Sequence, residues 1–132
     1  MNIRKSGLFA AASALMLLAG ASIAQQNAPS YSNKWRIEVS EGANSDGTIL
    51  FRVTPKDGTA TDVAVAIKKG RGENNVADDI RDAMKSTLNP KEFHAEVDDG
   101  EDVLVKKRAG PDFALVLVES SVKGVRIHIE KE

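Results

Sequence analysis

The chain has 132 residues, 42% of them hydrophobic and 28% charged, with a formal net charge of −1 and no cysteine. That composition fits one small folded domain and excludes a disordered chain, a disulfide scaffold and any thiolate chemistry or Cys-ligated metal site. Acids slightly outnumber bases, so bulk attraction to nucleic acid is not expected either.

The N-terminus carries Arg4 and Lys5, an uncharged Ala/Leu-rich run from Leu8 to Ile23, and Ser22-Ile23-Ala24 before Gln25. This is the three-part pattern of a secretory signal peptide, so residues 1–24 are expected to be removed. The run is shorter than the roughly 20 apolar residues of a transmembrane anchor. Position 21 is Ala where a lipoprotein signal has its lipidated Cys. The expected product is periplasmic or secreted and soluble, with no membrane insertion after cleavage. The removed segment carries two of the 18 bases and none of the acids, which leaves a more acidic mature chain.

Residues 25–33 (QQNAPSYSN) are polar and read as a flexible tether, with a single domain over 34–132. Residues 34–40 alternate, with Trp35, Ile37 and Val39 on one side, as in a half-buried strand. Turn residues at 42–47 lead to a second strand at 48–54, and the two together read as a hairpin. Pro55-Lys56-Asp57-Gly58 makes another turn, and Val63, Val65 and Ile67 share a face of a third strand at about 61–68. After Gly70-Arg71-Gly72 the period changes: Val76, Ile80, Ala83, Met84 and Leu88 form one apolar stripe of a helix at about 75–88. Asn74 or Asn75 is the expected cap, with Asp78 as its capping-box partner, and Pro90 ends the helix.

Phe93, Ala95 and Val97 then alternate with polar neighbours, and Asp98-Asp99-Gly100-Glu101 marks a tight hairpin into 102–108. Residues 113–119 (FALVLVE) are apolar on both faces, which reads as a central or doubly covered strand. Val125, Ile127 and Ile129 alternate in the last strand. The expected fold is α+β, in the order β-β-β-α-β-β-β-β: two layers, one antiparallel-rich sheet of six to seven strands with the amphipathic helix on its apolar face. The segment from Val63 to Asp99 resembles small modules of tailed-phage tail and adhesin-like proteins. The resemblance implies no residue role.

Sites for chemistry are sparse. Asn44 to Ile49 matches the middle of a calcium loop, but its first and twelfth positions fall on Gly42 and Val53, so both essential carboxylates are missing. The acidic hairpin Glu96, Asp98, Asp99, Glu101, Asp102 is denser and supplies oxygen ligands, although alternate strand residues diverge. His94 and His128 are the only imidazoles, and a zinc site would need them within a few ångströms of each other. Arg71 before the helix offers an anion a partner, yet Asp78 and Asp79 oppose it. No Gly-x-Ser-x-Gly elbow is present.

What remains is the polar sheet face, with Arg36, Glu38, Arg52, His94, Glu96, Arg126 and His128 as candidate binding residues. Such faces and their edges take partners by side-chain pairing or strand addition. The expected role is a non-catalytic binding or structural interaction module, without cofactor or metal, whose partner is an envelope or extracellular protein. The alternatives are a small secreted inhibitor of an envelope hydrolase (protease or lysozyme) and a calcium-binding module using the acidic hairpin.

Overall fold

The computed structural model describes residues 29–132. The expected signal segment 1–24 and the first part of the expected tether lie outside the described residues. Seven strands and one helix follow in order: β1 (Lys34–Ser40), β2 (Gly47–Pro55), β3 (Thr61–Ile67), α1 (Glu73–Thr87), β4 (Phe93–Asp98), β5 (Asp102–Lys107), β6 (Phe113–Ser120) and β7 (Arg126–Lys131). The fold is α+β, and all strand pairings are antiparallel.

The strands do not form one sheet. They form a four-stranded sheet, β4-β5-β1-β7, and a three-stranded one, β3-β2-β6. The reason is geometric. A helix is about 10 Å across, whereas seven strands spaced about 4.8 Å apart present a face several times wider. A single helix cannot cover that face, so the two sheets cover each other. Trp35, Ile37 and Val39 of β1 and Ile49, Phe51 and Val53 of β2 belong to the same buried core. Helix α1 packs against β3 of one sheet and β4, β5 and β1 of the other, using Val76, Ala77, Ile80 and Met84.

The expected β1–β2 hairpin is therefore not formed, since β1 pairs with β5 and β7 while β2 pairs with β3 and β6. The connection climbs from one sheet to the other. It is pinned on both sides: the Ala43 amide donates to the Arg71 carbonyl at 2.8 Å, and the Asn44 amide to the Lys123 carbonyl at 2.7 Å. Gly124 fits this crowded corner with φ of +95°, and a Cβ there would lie 2.6 Å from the Gly42 carbonyl oxygen. The β2–β3 and β4–β5 hairpins form as their turns predict, the latter with positive φ at Asp99 and Gly100.

Three local expectations change. The helix starts at Glu73 with Gly72 as its N-cap and no side-chain capping bond, so neither Asn74 nor Asn75 caps it. Strand β6 is an edge strand of the smaller sheet: Phe113, Ala114 and Leu115 are buried, but the strand is exposed from Val116 onward. Leu117, which a central or doubly covered strand would bury, is 38% exposed, and Ile127 and Ile129 on edge strand β7 are only partly buried. Paired backbone also begins before Lys34, because Ser32 bridges Phe113.

Two substitutions test this packing. Leu115→Ala should destabilise by about 2–5 kcal/mol, as for a buried leucine, while Leu117→Ala should stay below about 1 kcal/mol; urea unfolding measures both. Gly124→Ala should cost about 1–3 kcal/mol through its left-handed backbone alone, before any clash, and an unchanged midpoint would show that the corner relaxes freely.

Candidate functional site

Alternation along the strands decides which side chains share the outer face of the larger sheet. Inward residues of β1 are Trp35, Ile37 and Val39, so Lys34, Arg36 and Glu38 point out. Register then sets Arg36 opposite Leu104 and Glu130, Glu38 opposite Asp102 and His128, and Ser40 opposite Arg126. On β4, His94 lies opposite Lys106, Glu96 opposite Leu104, and Asp98 opposite Asp102. Six of the seven candidate residues thus share one face: Arg36, Glu38, His94, Glu96, Arg126 and His128. Arg52 does not join them. It lies on the smaller sheet, paired with Asp62 at 2.6 Å.

Arg36 organises the face. Its guanidinium reaches Asp98 at 2.9 Å, Asp102 at 2.6 Å and Glu132 at 2.8 Å. Asp98 and Asp102 are directly opposite like charges, an arrangement that destabilises a sheet unless a cation bridges it. Arg36 is that cation, and its carboxylates hold it more firmly protonated than usual: Glu132 first, then Asp102 and Asp98. Arg36 in turn lowers the Glu132 carboxyl below its ordinary range. Leu104 lies on this same outward side and is nonetheless buried, so the face has an apolar floor beneath its charges.

A second chain of contacts runs along β4 and β5. Arg108 lies 2.9 Å from His94 Nδ1, and Glu96 lies 3.2 Å from His94 Nε2. Arginine only donates, so Nδ1 accepts and Nε2 carries the proton given to Glu96. Glu96 also takes Lys106 at 3.2 Å, and Lys106 first, then His94, lowers its carboxyl below the usual value. His128 meets Glu130 at 3.2 Å on β7. The two histidines stand on the two edge strands of the four-stranded sheet, three strand spacings or about 14 Å apart. They cannot share one metal ion. Among the described residues no group of three or more His, Asp or Glu is arranged to hold a metal ion, and the acidic hairpin has Asp98, Asp102 and Glu96 engaged with cations. Arg71, the candidate anion partner, is paired with Asp79 at 2.8 Å.

The sequence reading missed the second surface. Along β6 the Lys56 amide bonds the Asp112 carbonyl, and Pro55 lies opposite Phe113. Backbone groups alternate sides in an antiparallel ladder. Those of Asp112, Ala114 and Val116 therefore face β2, while those of Phe113, Leu115 and Leu117 face outward. Among the described residues only Phe113 finds a strand partner there, exchanging bonds of 3.0 and 2.9 Å with Ser32. The register shifts between Leu50 and Phe51, leaving Val118 as the extra residue of a bulge. Val116, Leu117 and Val118 are 48%, 38% and 39% exposed, and they are the exposed large hydrophobic residues of the described chain. The clue in the sequence was the same two-faced apolar run that suggested a central strand.

No family model matches the chain, and no curated protein does either. Its reading rests on this geometry.

The ion-pair network gives a pH prediction. Glu132, Glu96 and Asp62 have lowered carboxyl values in the fold. Their stabilisation is therefore present above the unfolded-state values and is lost as pH falls through the lower folded ones. Arg36→Met should reduce the thermal midpoint at pH 7, and the loss should shrink as pH falls through the lowered range of its partner Glu132. A loss independent of pH would show that Arg36 acts through its apolar stem alone.

Proposed function

We propose that this protein is an exported, non-catalytic binding module of the bacterial cell envelope or exterior, and that it engages a protein partner by strand addition along β6. One observation carries the reading: the exposed apolar residues Val116, Leu117 and Val118 are consecutive and lie on an edge strand, and the outward backbone groups of Leu117 have no strand partner among the described residues. Natural edges are normally blunted by charge, proline or cover. An apolar edge is what an extended segment recognises, with main-chain bonds giving affinity and alternate side chains giving specificity. The N-terminal pattern through Ala24 supports the exported location.

The polar face supports the non-catalytic part, because its carboxylates hold cations and histidines in ion pairs and hydrogen bonds. Glu38 and Arg126 retain charge for contacts at the rim.

Affinity capture from a periplasmic extract tests the site. The double variant Val116→Lys with Val118→Lys should lose the partner that the natural sequence retains, while keeping its unfolding midpoint to within about 0.5 kcal/mol, as exposed substitutions do. Arg126→Glu should retain the partner. The reverse pattern, with the edge variant binding and Arg126→Glu failing, moves the site to the polar face.

A further inference from the structure

A cavity of about 70 Å³ opens at the free edge of β4, beside the end of α1. Its floor is apolar, made by Met84 and Leu88 from the helix end and by Phe93 and Ala95 from the strand. Its rim is basic: Lys85 from the last turn of α1, Arg108 just past β5, and the His94 ring. Among the described residues no carboxylate lines it.

Arg108 is the informative member of the rim. Arg36, Arg52, Arg71 and Arg81 each hold a carboxylate. Arg108 instead meets His94 Nδ1 at 2.9 Å, and it has no ion-pair partner among the described residues. A neutral nitrogen occupies one of the five guanidinium N–H groups and cancels none of the charge. Glu96, 3.2 Å from His94 Nε2, fixes the ring and so fixes where Arg108 stands. Glu92 lines a different groove, beside Pro55 and Gly58. Lys85 likewise pairs with no carboxylate among the described residues.

The strand adds main-chain groups. Lys107 donates to the Asn33 carbonyl on the β1 side, and Arg108 donates to the Glu92 carbonyl at 2.6 Å on the β4 side. Alternation along the β4–β5 ladder then turns the Ala95 N–H and C=O away from β5. No strand lies beyond β4 among the described residues to take them. Size limits the ligand. A drug-sized molecule or cofactor fills roughly 300–1,000 Å³, so this cavity takes one end group and leaves the rest in solvent.

We propose that the cavity binds a carboxylate carrying a short aliphatic group. The aliphatic group lies on Met84, Leu88 and Phe93, and the carboxylate at the mouth takes Arg108 and Lys85 in charge-assisted hydrogen bonds. The C-terminal residue of a peptide ending in leucine and a free branched aliphatic acid share this chemistry. The apolar floor favours either over inorganic phosphate, whose polar oxygens would be desolvated there without partners. The site lies on the larger sheet and does not depend on the reading of β6.

Amide NMR on isotope-labelled protein tests it, with glycyl-glycyl-leucine, its C-terminal amide, isocaproate and inorganic phosphate as probes. Glycyl-glycyl-leucine should shift the Lys85, Ala95 and Arg108 amides saturably, and its amide should bind at least about tenfold more weakly, the loss of a charge-assisted bond. Arg108→Met should weaken binding by about the same factor and leave the thermal midpoint unchanged, because Arg108 is exposed. The Val116→Lys, Val118→Lys variant should bind like the natural sequence, so this site and the β6 site fail independently. Tighter binding of the tripeptide than of isocaproate identifies peptide ends as the ligand; equal binding identifies free acids. Each supports the site. No saturable shift with either carboxylate, equal binding of acid and amide, or equally strong shifts with phosphate would overturn it.

Discussion

One helix for seven strands among the described residues is the constraint behind this fold. The apolar stripe of α1 is four buried residues long, enough to cover the side where β3 and β4 end but not a full sheet. The remaining inward side chains have to bury one another, which two sheets facing each other achieve and one open sheet cannot. The helix closes one side of the resulting sandwich. On the other side, β6 and β7 come near without pairing, so each sheet ends in an unpaired edge. The open edge is thus a consequence of the element count rather than an isolated feature of β6.

The two outer faces handle exposure differently. On the larger sheet, charges crowd so closely that like charges stand opposite one another, and Arg36 makes the arrangement stable by serving three carboxylates from three different stretches of chain. Such a face is largely self-neutralised: the charges around Arg36 and Glu96 already have partners, and an incoming protein would have to break those pairs to use them. On the smaller sheet the Arg52–Asp62 pair is solvent-exposed, where an ion pair contributes little, and the apolar edge dominates. The candidate residues chosen for charge therefore explain why the larger sheet is stable in water, whereas the surface able to gain free energy by being covered is the one that carries few charges.

Local patterns were legible in the sequence, and pairings were not. Alternation identified the strands, and the 3.6-residue spacing of Val76, Ile80 and Met84 identified the helix, because each reflects which side chains leave water together. Turn residues identified hairpins only where the connection was short, as at Asp99-Gly100. At 41–46 equally good turn residues served a crossing between sheets, since what fixes that loop is hydrogen bonding to Arg71 and Lys123, residues far away in the chain. The polar face was found for the same reason as the strands, while Arg52 was grouped wrongly because alternation tells which side a residue takes but not which sheet holds it.

The β6 run shows where this kind of inference stops. Two apolar faces normally mean cover on both, so FALVLVE read as a central strand. The structure places it at an edge, leaving local pattern and position in conflict at this one strand. Natural sequences tend to keep such conflicts at sites of function. An isolated apolar edge invites association between copies of the chain. Ser32, hydrogen-bonded to Phe113, covers only the buried start of the strand and leaves its exposed apolar end at Val116–Val118 uncovered among the described residues.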